Sequence, residues 1–464
     1  MSNKEKKGVH SSLNMVSYGF GAMFRAFVNT AFNILVFFYY EVEIGLNVWI
    51  IGLALIIFTV YNVINDPLIG YLTNRPFKFT KKWGRRFPWI LLGGIPLGFS
   101  YFLVFNPPSV DPISEAWILF GWLTFTSCLF DTFHSLFFVN FQSLFPDKYR
   151  SVNERRTTTG IQISLGIMGV ALGAIIIPLI VKFGDKQTYI IQGLIVMVIC
   201  LVTMILAIPG FREDPETIEL YLTSFEKKAK KKSFLKSMKV AFKQKSFVVY
   251  LIFYTMFSVT MNSLQASIPY VVRFVLDMPA GAILFILGGL LIGAIISVPF
   301  WVKLAKKTND NGKVMLISAT LMGVFIIPLI FLENYWFIVI VVIIWGIAFG
   351  GCWTMIFPVF SDVIDESIVK NGKREEGTYI GIQQFFGRLG LIIQVLSIVI
   401  IHSLTGFVEG VETQTPLAIW GIRIHTAIIP MSCILFGALF FWLFYDLKRE
   451  RIVSNQEKIK EMGL

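Results

Sequence analysis

Asn74-Arg-Pro-Phe-Lys-Phe-Thr-Lys-Lys-Trp-Gly-Arg-Arg86 sets six Lys/Arg between two apolar runs, 47–73 and 87–105. Each run exceeds the roughly 18 residues a helix needs to cross a hydrocarbon core of about 30 Å. Ten more such runs lie at 15–40, 116–145, 158–181, 189–209, 246–272, 280–302, 314–332, 335–362, 378–404 and 417–445. With twelve crossings, alternate connections share a side. The amino terminus, 74–86, 146–157, 210–245, 303–313, 366–376 and 446–464 fall on one side and carry 35 of the 41 Lys/Arg. The positive-inside rule therefore predicts that both termini face the cytoplasm of a cell-membrane protein.

A mean hydropathy of +0.69 with 15% charged residues excludes a soluble enzyme and fits an all-α polytopic membrane protein. The net charge of +12 follows from this topology and from anionic lipid at the inner leaflet. Because topology accounts for the charge, no nucleic-acid partner is expected. Cys128, Cys200, Cys352 and Cys433 sit in predicted spans and form no paired motif. His10, His134, His402 and His425 are scattered without metal-ligand spacing. The first apolar run follows a polar start and is too long for a cleavable signal. No nucleophile–base pair stands in the spans, so no catalytic residue, resident metal or cofactor is expected.

The polar, lysine-rich segment 210–245 divides the spans six and six and reads as a linker, either an amphipathic surface helix or a solvated charge run. The expected organisation is a bundle over 1–209, the linker 210–245, a second bundle over 246–445 and a cytoplasmic tail 446–464. The halves repeat one another. Ser143-Leu-Phe-Pro-Asp147, Asn153-Glu-Arg-Arg156 and Gly160-Ile-Gln162 are echoed by Val359-Phe-Ser-Asp362, Lys373-Arg-Glu-Glu376 and Gly381-Ile-Gln383. Two pseudo-symmetric six-helix bundles are the mark of the major facilitator fold, which transports by alternating access at a site expected between the halves. A channel would need a filter or ring-forming repeat, and none is seen.

Tyr61-Asn-Val-Ile-Asn-Asp-Pro67 puts Asn62, Asn65 and Asp66 at i, i+3 and i+4, on one helical face. Pro67 frees the carbonyl of Val63. The cluster is either an oxygen-rich site for Na⁺ or H⁺ or a polar helix-packing contact; the cost of a carboxylate at this depth favours the site. Arg25 and Arg388 also fall inside spans. Asp131 lies two turns before Phe138 on the same face, near the middle of the fourth run. It is read either as a polar substrate anchor paired with Arg25 or Arg388, or as a structural ion pair.

Ser17-Tyr-Gly-Phe-Gly-Ala22, Asn65-Asp-Pro-Leu-Ile-Gly70, Lys82-Trp-Gly-Arg-Arg-Phe-Pro-Trp89 and Asp362-Val-Ile-Asp365 resemble the glycoside–pentoside–hexuronide:cation symporters. The resemblance implies coupled movement of a sugar-like solute with Na⁺, Li⁺ or H⁺. It assigns Asp66 and Asn65 to the cation, with Ser135 completing the site and Asn62 standing where a second acid is usual. Losing that acid lowers the charge of the site and tilts the expectation away from Na⁺, toward H⁺ coupling or no coupling. Arg25, Trp353, Gln383 and Arg388 match substrate-cavity residues, and Gln142 stands where the family has an aromatic. Ala26, Phe138 and Gly160 replace an acid, the main sugar-binding acid and an arginine, so melibiose itself is not expected. Arg388 replaces a lysine, and its planar fork suits a carboxylate or phosphate. Asp362, Asp365 and Arg374 match a cytoplasmic gate, with Arg85 and Arg86 serving the equivalent loop of the first half.

The expected protein is thus a monomeric secondary transporter of a small polar solute, a sugar or sugar acid, surrounded by membrane lipid, with H⁺ or Na⁺ as coupling ion. The alternatives are a lysolipid or other amphiphile transporter, or a non-transporting membrane sensor on the same scaffold. The 45 phenylalanines are assigned to packing and lipid contact.

Overall fold

A computed structural model describes residues 10–73, 75, 77–149, 151–215, 218–219, 222, 241–372 and 376–462. Among these, every regular element is helical. Twelve helices are long and apolar enough to cross a membrane. The first unit contains α1 (Ser12–Ile44), α2 (Val48–Thr73), α3 (Phe87–Val104), α4 (Ala116–Lys148), α5 (Asn153–Ile180) and α6 (Lys186–Phe211). The second contains α7 (Lys245–Val275), α8 (Ala280–Thr308), α9 (Asn311–Ile330), α10 (Tyr335–Lys370), α11 (Thr378–Thr405) and α12 (Pro416–Phe444). The chain divides into these compact units at Ala229/Lys230. The lysine cluster 227–232 and Arg374 lie outside the described residues.

Local chemistry sets the helix ends. Ser11, Ser151, Asp185, Asp310, Asn334 and Thr415 each accept a backbone N–H of the helix they open. Such side chains satisfy donors that have no partner within the helix. Ser151 and Glu154 form a reciprocal pair, with Glu154 N donating to Ser151 Oγ (3.2 Å) and Ser151 Oγ to Glu154 Oε2 (3.0 Å). Gly45 ends α1 at φ 83°, a conformation that costs residues with a Cβ. Several spans carry an internal proline, among them Pro67 in α2, Pro178 in α5 and Pro358 in α10. Within a membrane, neighbouring helices and hydroxyl side chains can satisfy the freed carbonyls.

The duplication legible in the sequence is repeated in the packing. In the first unit α1 packs on α5 and α6, α4 on α2 and α3, and α3 on α6. In the second, α7 packs on α11 and α12, α10 on α8 and α9, and α9 on α12. Each pair of one unit thus has its counterpart in the other. Glycine permits the closest approaches: a Cβ on Gly169 of α5 would stand 2.3 Å from the Met23 carbonyl oxygen, and one on Gly293 of α8 would stand 2.2 Å from that of Ile343. Small residues at such crossings let helix backbones meet where no hydrophobic force drives association. Large apolar side chains such as Ile64, Leu68, Ile205, Ile296 and Trp442 are exposed, as expected of surfaces that lipid covers.

The sequence segment read as a tail forms a further helix, α13 (Arg449–Glu461), which packs against α10 of its own unit. Asn455 and Ile459 of α13 are buried.

Candidate functional site

The polar face of α2 meets α4. Ser135 of α4 donates to Asp66 Oδ1. Asn62 donates through Nδ2 to Asp131 Oδ1, and Asn65 through Nδ2 to Asp131 Oδ2 at 2.9 Å. The spacing explains the match: the α2 residues stand at i, i+3 and i+4, while Asp131 and Ser135 stand one turn apart on α4. Asn65, Asp131 and Ser135 are buried and Asp66 is half-buried. Outside this group, the Tyr61 hydroxyl and Thr132 Oγ1 are 2.8 Å apart, a second tie between the helices. All four residues expected to hold the cation are therefore together. Asp131, expected to anchor substrate, joins them.

A cleft of about 380 Å³ lies further along α4, lined by Arg25 of α1, Gln142 of α4, and Thr159 and Gln162 of α5, with Phe141, Phe145 and Ile163 supplying apolar walls. The Arg25 guanidinium lies over the Phe138 ring, 3.7 Å from Cζ to centroid. Below it His134 stacks on Phe138 and Phe130, with ring centroids 5.9 and 6.2 Å apart. Phe138, standing where an acid was expected, serves as the apolar platform of the arginine. Thr159 and Gln162 were missed as lining residues. Their signal was available, because Thr159, Gln162 and Gly166, at i, i+3 and i+7, share one face of α5.

In the second unit, Trp353 is 54% exposed on α10, beside Phe349 and Phe257. Gln383 of α11 is buried and donates from Nε2 to the Tyr250 hydroxyl at 2.5 Å, which commits its amide nitrogen to helix packing. Arg388 is half-buried on the same helix.

The residues assigned to gating occupy helix ends. Arg85 pairs with Asp147, while buried Arg86 donates from Nη1 to Asn140 Oδ1 (3.1 Å) inside its unit. Asp362 is buried and accepts from Asn311 Nδ2 at 3.2 Å. Asp147 and Asp362 are the repeated acids of the sequence, and each binds a residue at or just before the start of the third helix of its unit. Asp365 is half-buried. The neighbouring Glu366, which the sequence did not single out, is the hub of this end. It accepts from Gln244 Nε2 (2.8 Å), Ser246, Lys370 Nζ (2.7 Å) and Arg451 of α13.

The histidines are less scattered than the sequence implies. His402 and His425 are both 1% exposed, with their Nε2 atoms 3.0 Å apart, and Ser267 Oγ lies 2.7 Å from His425 Nδ1. Twenty-three residues and a change of helix separate the pair, a relation no spacing rule detects.

The sequence profile of the MFS/sugar transport protein family matches residues 17–449. The chain belongs to this family. The transporter is 22% identical to a sodium-dependent lysophosphatidylcholine symporter of Danio rerio, covering 86% of this chain and 79% of that protein. It is 22% identical to a putative glycoside/cation symporter of Escherichia coli over 95% and 94% of the two chains. A lactose permease of Lactobacillus delbrueckii subsp. bulgaricus is 23% identical over 87% of the transporter and 65% of the permease. Among solved structures, a nucleoside transporter shares 12% identity at TM-score 0.66, covering 94% of this chain and all of that one. A D-xylose–proton symporter, also 12% identical, superimposes at 0.63 over 94% and 96%. These likenesses show the major facilitator fold. The transporter is a multi-pass membrane protein and not an enzyme.

Proposed function

We propose that the transporter is a symporter that moves a sugar or sugar acid together with a cation, H⁺ or Na⁺, held at Asp66 with Asn62, Asn65 and Ser135. The observation that carries this reading is the meeting of α2 and α4. A membrane-embedded carboxylate, Asp66, is grouped with amides and a hydroxyl from two helices, and α4, which supplies the hydroxyl, also lines a cleft of about 380 Å³ with its own polar residues. A buried charge of this kind is costly unless it has work to do. Arg25, Gln142, Thr159 and Gln162 are the proposed solute contacts in the first unit, and Trp353 and Arg388 in the second. An arginine among the residues lining the cleft suits a solute bearing a carboxylate or phosphate. The glycoside/cation symporter and lactose permease among the relatives support the solute class. Asp362, Asp365 and Arg85 are proposed to gate the cytoplasmic end, and the charge bias supports a cytoplasmic position for both termini.

The test is uptake into proteoliposomes across a panel of sugars and uronic acids under imposed Na⁺ or H⁺ gradients. Wild type accumulates one solute above equilibrium. Asp66→Asn equilibrates that solute without accumulating it. Accumulation by Asp66→Asn equal to wild type overturns the cation assignment. A second reading, transport of a lysolipid, is favoured by the apolar walls of the cleft and by the lysophosphatidylcholine symporter among the relatives. It predicts competition by lysophospholipid and none by sugars.

A further inference from the structure

We infer that Asp131 is a positioning residue, which turns the side-chain amides of Asn62 and Asn65 so that their oxygens, with Asp66, form a site for a monovalent metal cation such as Na⁺. This rests on the symport reading and assigns its ion. The geometry reverses the expectation from the sequence, where asparagine at position 62 tilted coupling away from Na⁺.

An ionised carboxylate only accepts hydrogen bonds. Both oxygens of Asp131 face an asparagine, Oδ1 facing Asn62 and Oδ2 facing Asn65. Each amide must therefore present its NH₂ group to Asp131, whichever way its terminal atoms are drawn. The amide is planar, so fixing the nitrogen also fixes the direction of the oxygen. Asn62 and Asn65 share their helical face with Asp66. Ser135 spends its single proton on Asp66 Oδ1, which leaves the hydroxyl oxygen with lone pairs only. The ligand set inferred from this is one carboxylate, two amide oxygens and one hydroxyl, drawn from two helices.

A proton has no use for such a set. It needs one carboxylate, and amide oxygens do not compete for it. Carboxylate and carbonyl oxygens are the ligands that hard metal cations select. Partners that orient the ligands of an ion typically change its affinity by about 10–100-fold when removed.

The experiment uses the purified full chain in detergent at constant ionic strength, with NaCl exchanged for choline chloride. Thermal unfolding is followed as a function of Na⁺. For wild type a saturable rise in unfolding temperature is expected, and none for Asp66→Asn. Asp131→Asn is expected to shift the Na⁺ midpoint upward by about 10–100-fold. Asp131→Glu keeps the charge one methylene further out and should fall between the two. A wild type that Na⁺ does not stabilise beyond choline overturns the inference. So does an unchanged midpoint in either Asp131 variant, and Asp131→Glu supplies the answer if Asp131→Asn does not fold. Proteoliposomes separate the two levels of the reading. Accumulation driven by a pH gradient and indifferent to Na⁺ sinks the metal-cation assignment and leaves symport standing. No accumulation under any gradient sinks symport itself.

Discussion

The Arg25 guanidinium carbon lies 3.7 Å above the centre of the Phe138 ring, joining α1 to α4 along the wall of the cleft. The ring gives the guanidinium a polarisable face to rest on. The arginine is held in place while its N–H groups, which lie in the plane of the guanidinium, remain directed sideways. An ion pair at position 138 would have spent that charge inside the protein. The cation–π contact sets the guanidinium at the cleft wall, where an anionic solute is proposed to meet it.

Phe138→Leu preserves apolar volume and removes the π face. Such contacts contribute about 0.5–2 kcal/mol, so the KM for an anionic solute should rise by about 2- to 30-fold with little change in kcat. Arg25→Ala should abolish discrimination between a uronic acid and the matching neutral sugar. Competition uptake in proteoliposomes measures both.

Ser135→Ala removes the hydroxyl that donates to Asp66. Hydrogen bonds to charged groups are worth about 1.5–3 kcal/mol, which corresponds to a rise of about tenfold or more in the coupling-ion concentration giving half-maximal uptake. Ser135→Thr keeps the donor and should remain near wild type. Initial uptake rates at varied ion concentration decide it.

Gly169→Ala places a methyl group 2.3 Å from the Met23 backbone carbonyl, which cannot step aside as a flexible side chain could. The overpacked α1/α5 crossing should lose about 1–3 kcal/mol, read as a lowered unfolding temperature in detergent. Gly160→Ala is the control on the same helix. Nothing lies within 4 Å of its added carbon, so its melting should match wild type or exceed it slightly.

Glu366→Ala leaves the donors of Gln244, Ser246, Lys370 and Arg451 facing a void at a buried position. Breaking a buried charge network in this way costs about 3–5 kcal/mol. Arg451→Ala removes a side chain that is 40% exposed and should cost about 1 kcal/mol or less. Unfolding temperatures of the two variants, compared with wild type, test this ranking.

The fold was legible because the signals that specify it are local. A run of apolar residues, a serine or aspartate before it and a basic connection after it are each decided within a few positions. The Asn62, Asn65 and Asp66 face was legible for the same reason, since helical period alone puts those residues together. Gln383 shows the limit. Its motif matched a cavity residue, but the rotation of α11 turns its amide onto Tyr250.

Amino-acid order by itself determined that twelve spans cross a membrane, that they come in two matching sets, and that α2 carries a carboxylate beside amides. Only tertiary structure decided that Asp131 orients those amides, that Phe138 carries Arg25, that Thr159 and Gln162 line the same cleft, that Glu366 gathers α13, and that His402 meets His425. The reason is geometric. Periodicity fixes which residues share a face of one helix, whereas partners on different helices depend on axial rotation and shift between helices. Those two quantities are set by side-chain packing and by where glycine lets backbones touch.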